Sequence, residues 1–329
     1  MQILLNTYGT LLNRDNEAFV VTNDQGKRRI PTDGITSIMV TRGTSITSDA
    51  VLLAIEHEIE IHFADRRGNI QGMVWSHKYG SVSTIRKGQL EFCRSRQAVA
   101  WIKSIIGRKL HNQQAMLMMI ETHDATEAQY VQASIDHIER CAERLDALRG
   151  EVVRDVANAL RGLEGTASRI YFEALNWGIP VDYRFGERSQ HPARDIANAL
   201  LNYGYGVLYA KVESALVRAG ADPYLGVLHR DEYNRPVLVY DVIEPYRVWV
   251  DYVVVTLLAQ QVVTEDYYST DDNGAVWLEA MGRRVLVQSL NDYMEEVVKM
   301  NGLSRSRNTH IALEAQALAQ KFKALNDKS

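Results

Sequence analysis

Alternating apolar and β-branched positions dominate the first part of the chain. Short runs at Gln2–Thr7, Ala18–Thr22, Ile35–Val40, Ile59–Ala64 and Ile70–Trp75 have the residue types and length of strands. The stretch Asp65-Arg66-Arg67-Gly68-Asn69 between the last two is turn-forming and predicts a hairpin. Ser48 followed by DAVLLAIEHE predicts an N-capped helix with Val51, Leu52 and Ile55 facing inward. Near residue 90 the period changes. Phe92, Ala98, Ile102, Ile105, Ile106 and Leu110 recur at helical spacing, and Met116, Leu117, Met119 and Ile120 extend the same face. Tyr130, Ala133, Ile138 and Leu145 mark a second helix, and Val152–Leu163 a third. Pro180, Pro192, Pro223 and Pro245 punctuate further helices, while the polar, acidic segment from Glu265 to Gly274 predicts an exposed loop. The expected fold is therefore α+β: a small β-rich domain over residues 1–90, then a larger all-α domain over residues 91–329.

Composition narrows the picture without deciding function. At 329 residues, 46% hydrophobic and 24% charged, the chain has the make-up of an ordinary globular protein with room for two domains. The longest apolar stretch, around Val253–Val263, is broken by Gln260 and Gln261, so no membrane span is expected. Only Cys93 and Cys141 are present, both in helical, amphipathic surroundings that predict buried thiols, and no export signal is visible at the N-terminus. A reducing cytoplasm fits. The net charge of −4 does not by itself point to nucleic acid. Basic clusters do occur at Lys27-Arg28-Arg29, Arg66-Arg67, Lys103 with Arg108-Lys109, Arg283-Arg284, and Arg305 with Arg307, each also readable as solvated surface.

Several familiar chemistries are missing: there is no G-x-S-x-G elbow, no phosphate-binding GxxxxGK[ST] loop and no paired CxxC. Gly204-Tyr-Gly206 lacks the third glycine of a dinucleotide fingerprint. His57-Glu58-Ile59-Glu60-Ile61-His62 resembles a zinc-protease helix, but a five-residue spacing turns its histidines apart in strand or helix. Three later segments hold more. Gly162 to Phe172 places Glu164 before the small residues Gly165, Ala167 and Ser168, which admit a close neighbour, and then Arg169. The spacing of Glu164 and Arg169 suits no in-helix ion pair, so each needs another partner. Asp222 to His229 is an Asp-Pro turn in which Gly226 frees the backbone just before an apolar pair and a histidine. Pro236 to Arg247 reads as an extended run ending in Glu244, a helix cap before Pro245, with Asp241 three residues earlier. Each acid has an ordinary capping alternative. Together they offer carboxylates and one imidazole without a thiolate, a set suited to Mg²⁺ or Mn²⁺ and to phosphoryl transfer.

These three segments, in this order, resemble the CRISPR-associated spacer integrase family, the larger of the two core adaptation proteins ("Cas-one"). The family's glycine-x-glutamate-glycine pattern with its following arginine and Tyr-Phe pair is met at Gly162–Phe172, its Asp-Pro…Leu-His pattern at Asp222–His229, and its Asp-x-x-Glu-Pro-aromatic-Arg pattern at Asp241–Arg247. A fourth stretch, Pro192–Asp195 and Asn198–Tyr205, matches the family between the first two motifs. Ala221, Thr166 and Ser168 are small departures.

The resemblance implies that Glu164, His229 and Glu244 are metal ligands and that Asp241 is an accompanying catalytic acid, supporting the site or a second ion. It further implies that Tyr205 and Arg169 lie near the site. DNA contacts by Arg169, Tyr205, Arg247, Arg283 and Arg284, on a basic strip that also takes in Arg305 and Arg307, are a separate expectation. By the same resemblance the β-rich domain forms a homodimer, and a small ferredoxin-like CRISPR adaptation protein joins it. The substrate is DNA: a prespacer duplex is joined to a CRISPR repeat by 3′-hydroxyl transesterification with Mg²⁺ or Mn²⁺. A transposon-encoded integrase of the same fold, a repair nuclease and a non-catalytic DNA-binding scaffold are the alternatives.

Overall fold

A computed structural model describes residues 2–35, 37–65, 70–74, 83–122, 124–190, 192–229 and 235–326. The chain divides into two compact units, Met1–Gly80 and Ser81–Ser329.

In the first unit two four-stranded sheets form. One has the order β1 (Gln2–Leu5), β5 (Ser37–Thr41), β7 (Glu60–Ala64) and β8 (Ile70–Met73), parallel except for the last pair. The antiparallel pairing of β7 and β8 agrees with the predicted hairpin, whose turn residues 66–69 lie outside the described residues, as does Trp75. The other sheet has the order β4 (Gly26–Pro31), β3 (Ala18–Asn23), β2 (Leu11–Asp15) and β6 (Ser45–Ile46). Strands β2 and β4 carry almost no apolar alternation: Leu12 is buried on β2, and Lys27, Arg28 and Arg29 lie exposed on the edge strand β4. Edge strands are commonly charged, which is why pattern alone passed over it.

Helix α1 (Ser48–Glu56) starts one residue earlier than predicted, with Thr47 as its cap, accepting from the Ala50 N–H at 3.3 Å. Its buried residues are Ala50, Leu53 and Ala54, whereas Leu52 is 53% exposed. Val51, Leu52, Leu53 and Ile55 spread apolar side chains around much of the helix, so the apolar pattern alone does not single out its inward side. Together with Ile3, Leu5, Leu12, Phe19, Ile38 and Ile61, the buried Ala50, Leu53 and Ala54 form this unit's core.

The second unit is built from α2 (Ser83–Cys93), α3 (Arg96–Met118), α4 (Ala125–Ala147), α5 (Val153–Leu175), α6 (Ile196–Arg218), α7 (Val237–Ile243), α8 (Arg247–Ala259), α9 (Ala280–Glu295) and α10 (Arg307–Asn326). It is not all helical. Two short hairpins interrupt it, β9 (Tyr268–Thr270) with β10 (Val276–Leu278) and β11 (Val297–Met300) with β12 (Leu303–Ser306), with β9 inside the segment predicted as loop and β10 just beyond it. Phe92 belongs to α2 and not to the helix that follows, because Ser95 caps α3 by accepting from the Ala98 N–H. One continuous core runs through the helices, and Tyr171 and Tyr246 are among its largest fully buried side chains.

Three packing details fix the elements that carry chemistry. Gly204 lets α6 and α8 approach until a Cβ there would stand 2.5 Å from Val250 Cγ1. The fully buried Gln89 of α2 donates to the carbonyls of Asp222 and Leu225 and accepts from the Asp222 N–H, pinning the turn before His229. The segment 237–259 is helical throughout, as α7, a 3-10 turn at Glu244–Tyr246 and α8, so the predicted extended run is overturned. Val237, Leu238, Val239, Asp241, Val242 and Ile243 are all buried, and a helix buried on every side shows no amphipathic period. Glu244 keeps helical angles (φ −53°, ψ −42°) despite preceding Pro245. Among the described residues no helix is long and apolar enough to cross a membrane.

Candidate active site

A cleft of about 650 Å³ in the helical unit is lined by Glu164 from α5, His229 from the turn before α7, and Glu244 from the 3-10 turn. Lys109 and Gln113 of α3, Arg169, Arg188, Tyr205, Arg247 and Asp251 complete much of its wall. Side chains 80 residues apart in sequence therefore share one space.

His229 owes its orientation to Asp241. One carboxylate oxygen of Asp241 accepts the Val227 and Leu228 N–H groups at 2.6 and 3.0 Å; the other accepts the His229 N–H at 3.1 Å and lies 2.7 Å from His229 Nδ1. A carboxylate only accepts, so Nδ1 carries the proton and Nε2 is left as the free ring nitrogen. Arg161 of α5 donates to the Leu228 carbonyl and braces the same turn. Gly226 permits close packing more than unusual backbone angles, since a Cβ there would meet the His229 carbonyl at 2.7 Å and Val237 Cγ2 at 3.0 Å. Asp241 is wholly buried and is not part of the cleft wall. Its four contacts are to the turn that presents His229 and to the ring itself, so it orients that imidazole. Burial opposes protonation of His229, but the hydrogen bond to Asp241, then the charges of Asp241, Glu244 and Glu164, outweigh it and hold its pKa above the usual value.

Glu164 and Glu244 are joined by a residue the motifs did not single out. The Lys109 ammonium lies 2.6 Å from Glu164 Oε1 and 2.5 Å from Glu244 Oε2. Glu244 Oε2 is buried, and the Lys109 ammonium meets its charge. Arg247 Nε donates to the other oxygen of Glu244 at 2.9 Å, and its Nη2 donates to the Tyr209 hydroxyl. Burial would raise the Glu244 pKa, but the charges of Arg247 and Lys109 bring it down to about 2. Burial would likewise discharge Lys109, yet Glu244 and then Glu164 hold its pKa above the usual lysine value. Lys109, counted with Lys103 and Arg108 as a basic surface cluster, is buried; Arg108 pairs with Glu314, and Lys103 donates to the carbonyls of Asp146 and Leu148.

The expected DNA-contacting residues separate into groups. Arg169 is largely exposed at the cleft, where it pairs with Glu173 four residues on, so it and Glu164 do take different partners. Arg247 donates to Glu244 and Tyr209, and Tyr205 is buried with its hydroxyl donating to Asp251 at 2.5 Å; both line the cleft. Arg283 donates to the Leu278 carbonyl, and neither it nor Arg284 lines the cleft. Arg305 donates to the carbonyl of its neighbour Ser304, while Arg307 is taken up by Glu296 and the face of Tyr293. Asp251, also missed, sits between the hydroxyls of Tyr205 and Tyr171, the latter at 2.7 Å. The other sequence readings hold in part: His57 caps α1 beside Glu17, His62 is buried beside Glu60, Cys141 is a buried thiol, and Cys93 is half-buried.

Two carboxylates and an imidazole nitrogen facing one cleft are donors that fit Mg²⁺ or Mn²⁺. Among the described residues no three acid or imidazole side chains stand close enough to enclose an ion as they are; Lys109 occupies the space between two of them.

A strand-rich unit followed by a helical unit, with carboxylates, an oriented imidazole and a lysine in one helical cleft, defines the class: an α+β protein whose polar centre is carried by helices. The chain belongs to the family described as CRISPR associated protein Cas1, which matches residues 3–292. The CRISPR-associated endonuclease Cas1 1 of Archaeoglobus fulgidus is 30% identical over 330 residues, covering 96% of this chain and 94% of that protein. Among solved structures, a casposase bound to integration product is similar with a TM-score of 0.80 and 20% identity over 100% of this chain and 91% of that one. A chain of a Cas6-RT-Cas1–Cas2 complex is similar with a TM-score of 0.79 and 24% identity; it covers 100% of this chain but only 35% of its own length, so the present chain spans about a third of it.

Proposed function

We propose that this chain is a divalent-metal-dependent DNA endonuclease and integrase that inserts short foreign DNA into a CRISPR array, the 3′-hydroxyl of the incoming strand attacking a phosphodiester at the repeat. The observation that carries the reading is the convergence of Glu164, His229 and Glu244 on one cleft, with His229 turned toward it by Asp241. Family membership, the endonuclease name of the Archaeoglobus relative and the integration product in the casposase structure support it.

Glu164, Glu244 and His229 Nε2 would hold Mg²⁺ or Mn²⁺, and such an ion supplies positive charge to a phosphate oxygen and acidifies an attacking hydroxyl. The protein's own groups do the rest. Asp241 fixes the imidazole tautomer, Arg247 holds the Glu244 carboxylate, and the exposed Arg169 on the cleft wall offers charge to a phosphate backbone. Because one phosphodiester replaces another, no nucleoside triphosphate is needed. We assign the β-rich unit to homodimer formation and to docking of a small ferredoxin-like adaptation protein, in line with the Cas2 named in the complex of the similar structure. The working compartment is the cytoplasm.

The test is strand transfer by purified protein with Mn²⁺ or Mg²⁺ and a duplex carrying free 3′-hydroxyls. Joined products should disappear with His229→Ala and with Glu164→Gln while both variants stay folded; joining that persists in either variant in EDTA would remove the mechanism. The casposase likeness keeps a second reading in play, a transposon-type integrase. Equal joining into CRISPR repeats and unrelated DNA would favour it.

A further inference from the structure

We propose that Lys109 is a resident cation of this cleft, holding between Glu164 and Glu244 the place a divalent ion takes, so that ion loading requires the lysine to give way and is coupled to the arrival of a phosphodiester. The inference rests on reading the cleft as an ion site.

Charge balance is the first ground. Glu164 and Glu244 contribute two negative charges, and Lys109 and Arg247 two positive ones, all in direct contact at 2.5–2.9 Å. The side chains of Lys109, Glu164, Glu244 and Arg247 are only 9, 16, 4 and 22% exposed, so little water screens them. The group is neutral before any ion enters. A divalent ion added beside an unmoved Lys109 leaves two uncompensated positive charges in a poorly hydrated site, which is strongly unfavourable. The ammonium therefore withdraws from between the carboxylates, and an arriving phosphate supplies the negative charge that offsets the excess.

The second ground is that the cleft offers the ammonium somewhere to go. Gln113 lies one helical turn beyond Lys109 on the same face of α3 and lines the same cleft. Its Oε1 is buried without a hydrogen-bond partner among the described residues. The hydroxyl of Ser168, one turn beyond Glu164 on α5, is likewise buried, without a hydrogen-bond partner among the described residues, and on the cleft wall. Two unfilled acceptors thus line the cleft that holds the lysine. The residue type agrees, since lysine is a compact charge on a flexible stem that can exchange partners, where a guanidinium fork would be fixed by its geometry.

The experiment is Mn²⁺ binding followed by the electron spin resonance of free Mn²⁺, with and without a short DNA duplex, for wild type, Lys109→Met and Lys109→Gln. Without DNA both variants should bind Mn²⁺ at least about tenfold more tightly than wild type, and the tightening caused by the duplex should shrink. Both should melt at lower temperature in EDTA and recover with Mn²⁺, which a merely structural lysine would not produce. Equal or weaker Mn²⁺ binding in the folded variants, or an undiminished effect of the duplex, overturns the proposal. If neither variant folds, wild type labelled with ¹⁵N-lysine answers the same question: Mg²⁺ should shift the protected ammonium resonance that is missing from Lys109→Arg, and a resonance unmoved at saturating Mg²⁺ overturns the proposal. Failure of the underlying ion site looks different, because Glu164→Gln and His229→Ala would then bind Mn²⁺ as tightly as wild type.

Discussion

Asp241 and His229 form one unit: the carboxylate that lies 2.7 Å from the imidazole Nδ1 also gathers three consecutive backbone N–H groups of the turn that presents it. Ring orientation and loop shape are therefore set by the same buried group. Asp241→Asn turns an acceptor into a partial donor facing N–H groups. We expect a loss of joining rate of about 10–100-fold, typical of a lost orienting partner. A stability cost of about 1–3 kcal/mol should accompany it, as a lowered melting temperature. A folded variant that joins DNA at the wild-type rate would refute this role.

Asp251 gives a pH signature. Burial pushes its pKa from 3.8 up to about 6, against the hydrogen bonds of Tyr205 and Tyr171 and the charge of Arg188. The folded protein holds this proton more tightly than the unfolded chain does. The group therefore favours folding fully below about pH 4, and its contribution is lost as pH rises through 6. A shift of this size corresponds to roughly 3 kcal/mol across the window. Urea unfolding from pH 4 to 7 should show wild type losing this advantage relative to Asp251→Asn as pH rises. Parallel profiles for the two proteins would contradict it.

Gly204→Ala should act on the site from behind. A Cβ at this position collides with Val250 of α8, one residue before Asp251, while the next residue along α6 is Tyr205. Overpacking of this kind costs about 1–3 kcal/mol. Differential scanning calorimetry should register the loss, and a melting temperature equal to wild type would show that α6 and α8 have slack.

The arginines should separate by salt dependence. Arg169→Ala removes an exposed cleft charge and should lower the slope of log affinity against log salt by about 1. Arg247→Ala strips Glu244 of a partner inside the protein and should reduce stability, on the order of 3 kcal/mol, before it affects that slope. Arg283→Ala with Arg284→Ala should leave both affinity and slope unchanged; a clear drop would return them to the DNA surface.

The change from strand to helix period near residue 90 was legible because core-facing helices such as α3 and α5 keep a regular apolar stripe. Strand β4 was not, since an edge strand needs little apolar surface, and β2 was not, since Leu12 is its one buried residue. The helix α7 hid for the opposite reason, being apolar on every side. Glu164, His229 and Glu244 were found by ordered motifs; their convergence lies in tertiary structure that spacing along a chain cannot report. Lys109 did leave a trace: it falls in register with the buried Ile102, Ile105, Ile106 and Gln113 of α3, and a charge inside an apolar stripe has to be paired. Asp251 left a similar one, lying among the buried valines of α8.

The unbroken helical course from Val237 to Ala259 works as a ruler. It sets Asp241, Glu244, Arg247 and Asp251 at intervals of three, three and four residues, so a single rod times the imidazole brace, the carboxylate, its counter-charge and the tyrosine-bound acid. Deleting one residue between Tyr246 and Trp249 would twist everything downstream by about 100° and take Asp251 away from both tyrosines. Length in this stretch is thus as constrained as residue identity, and insertions compatible with the site belong in the loops at either end of the rod.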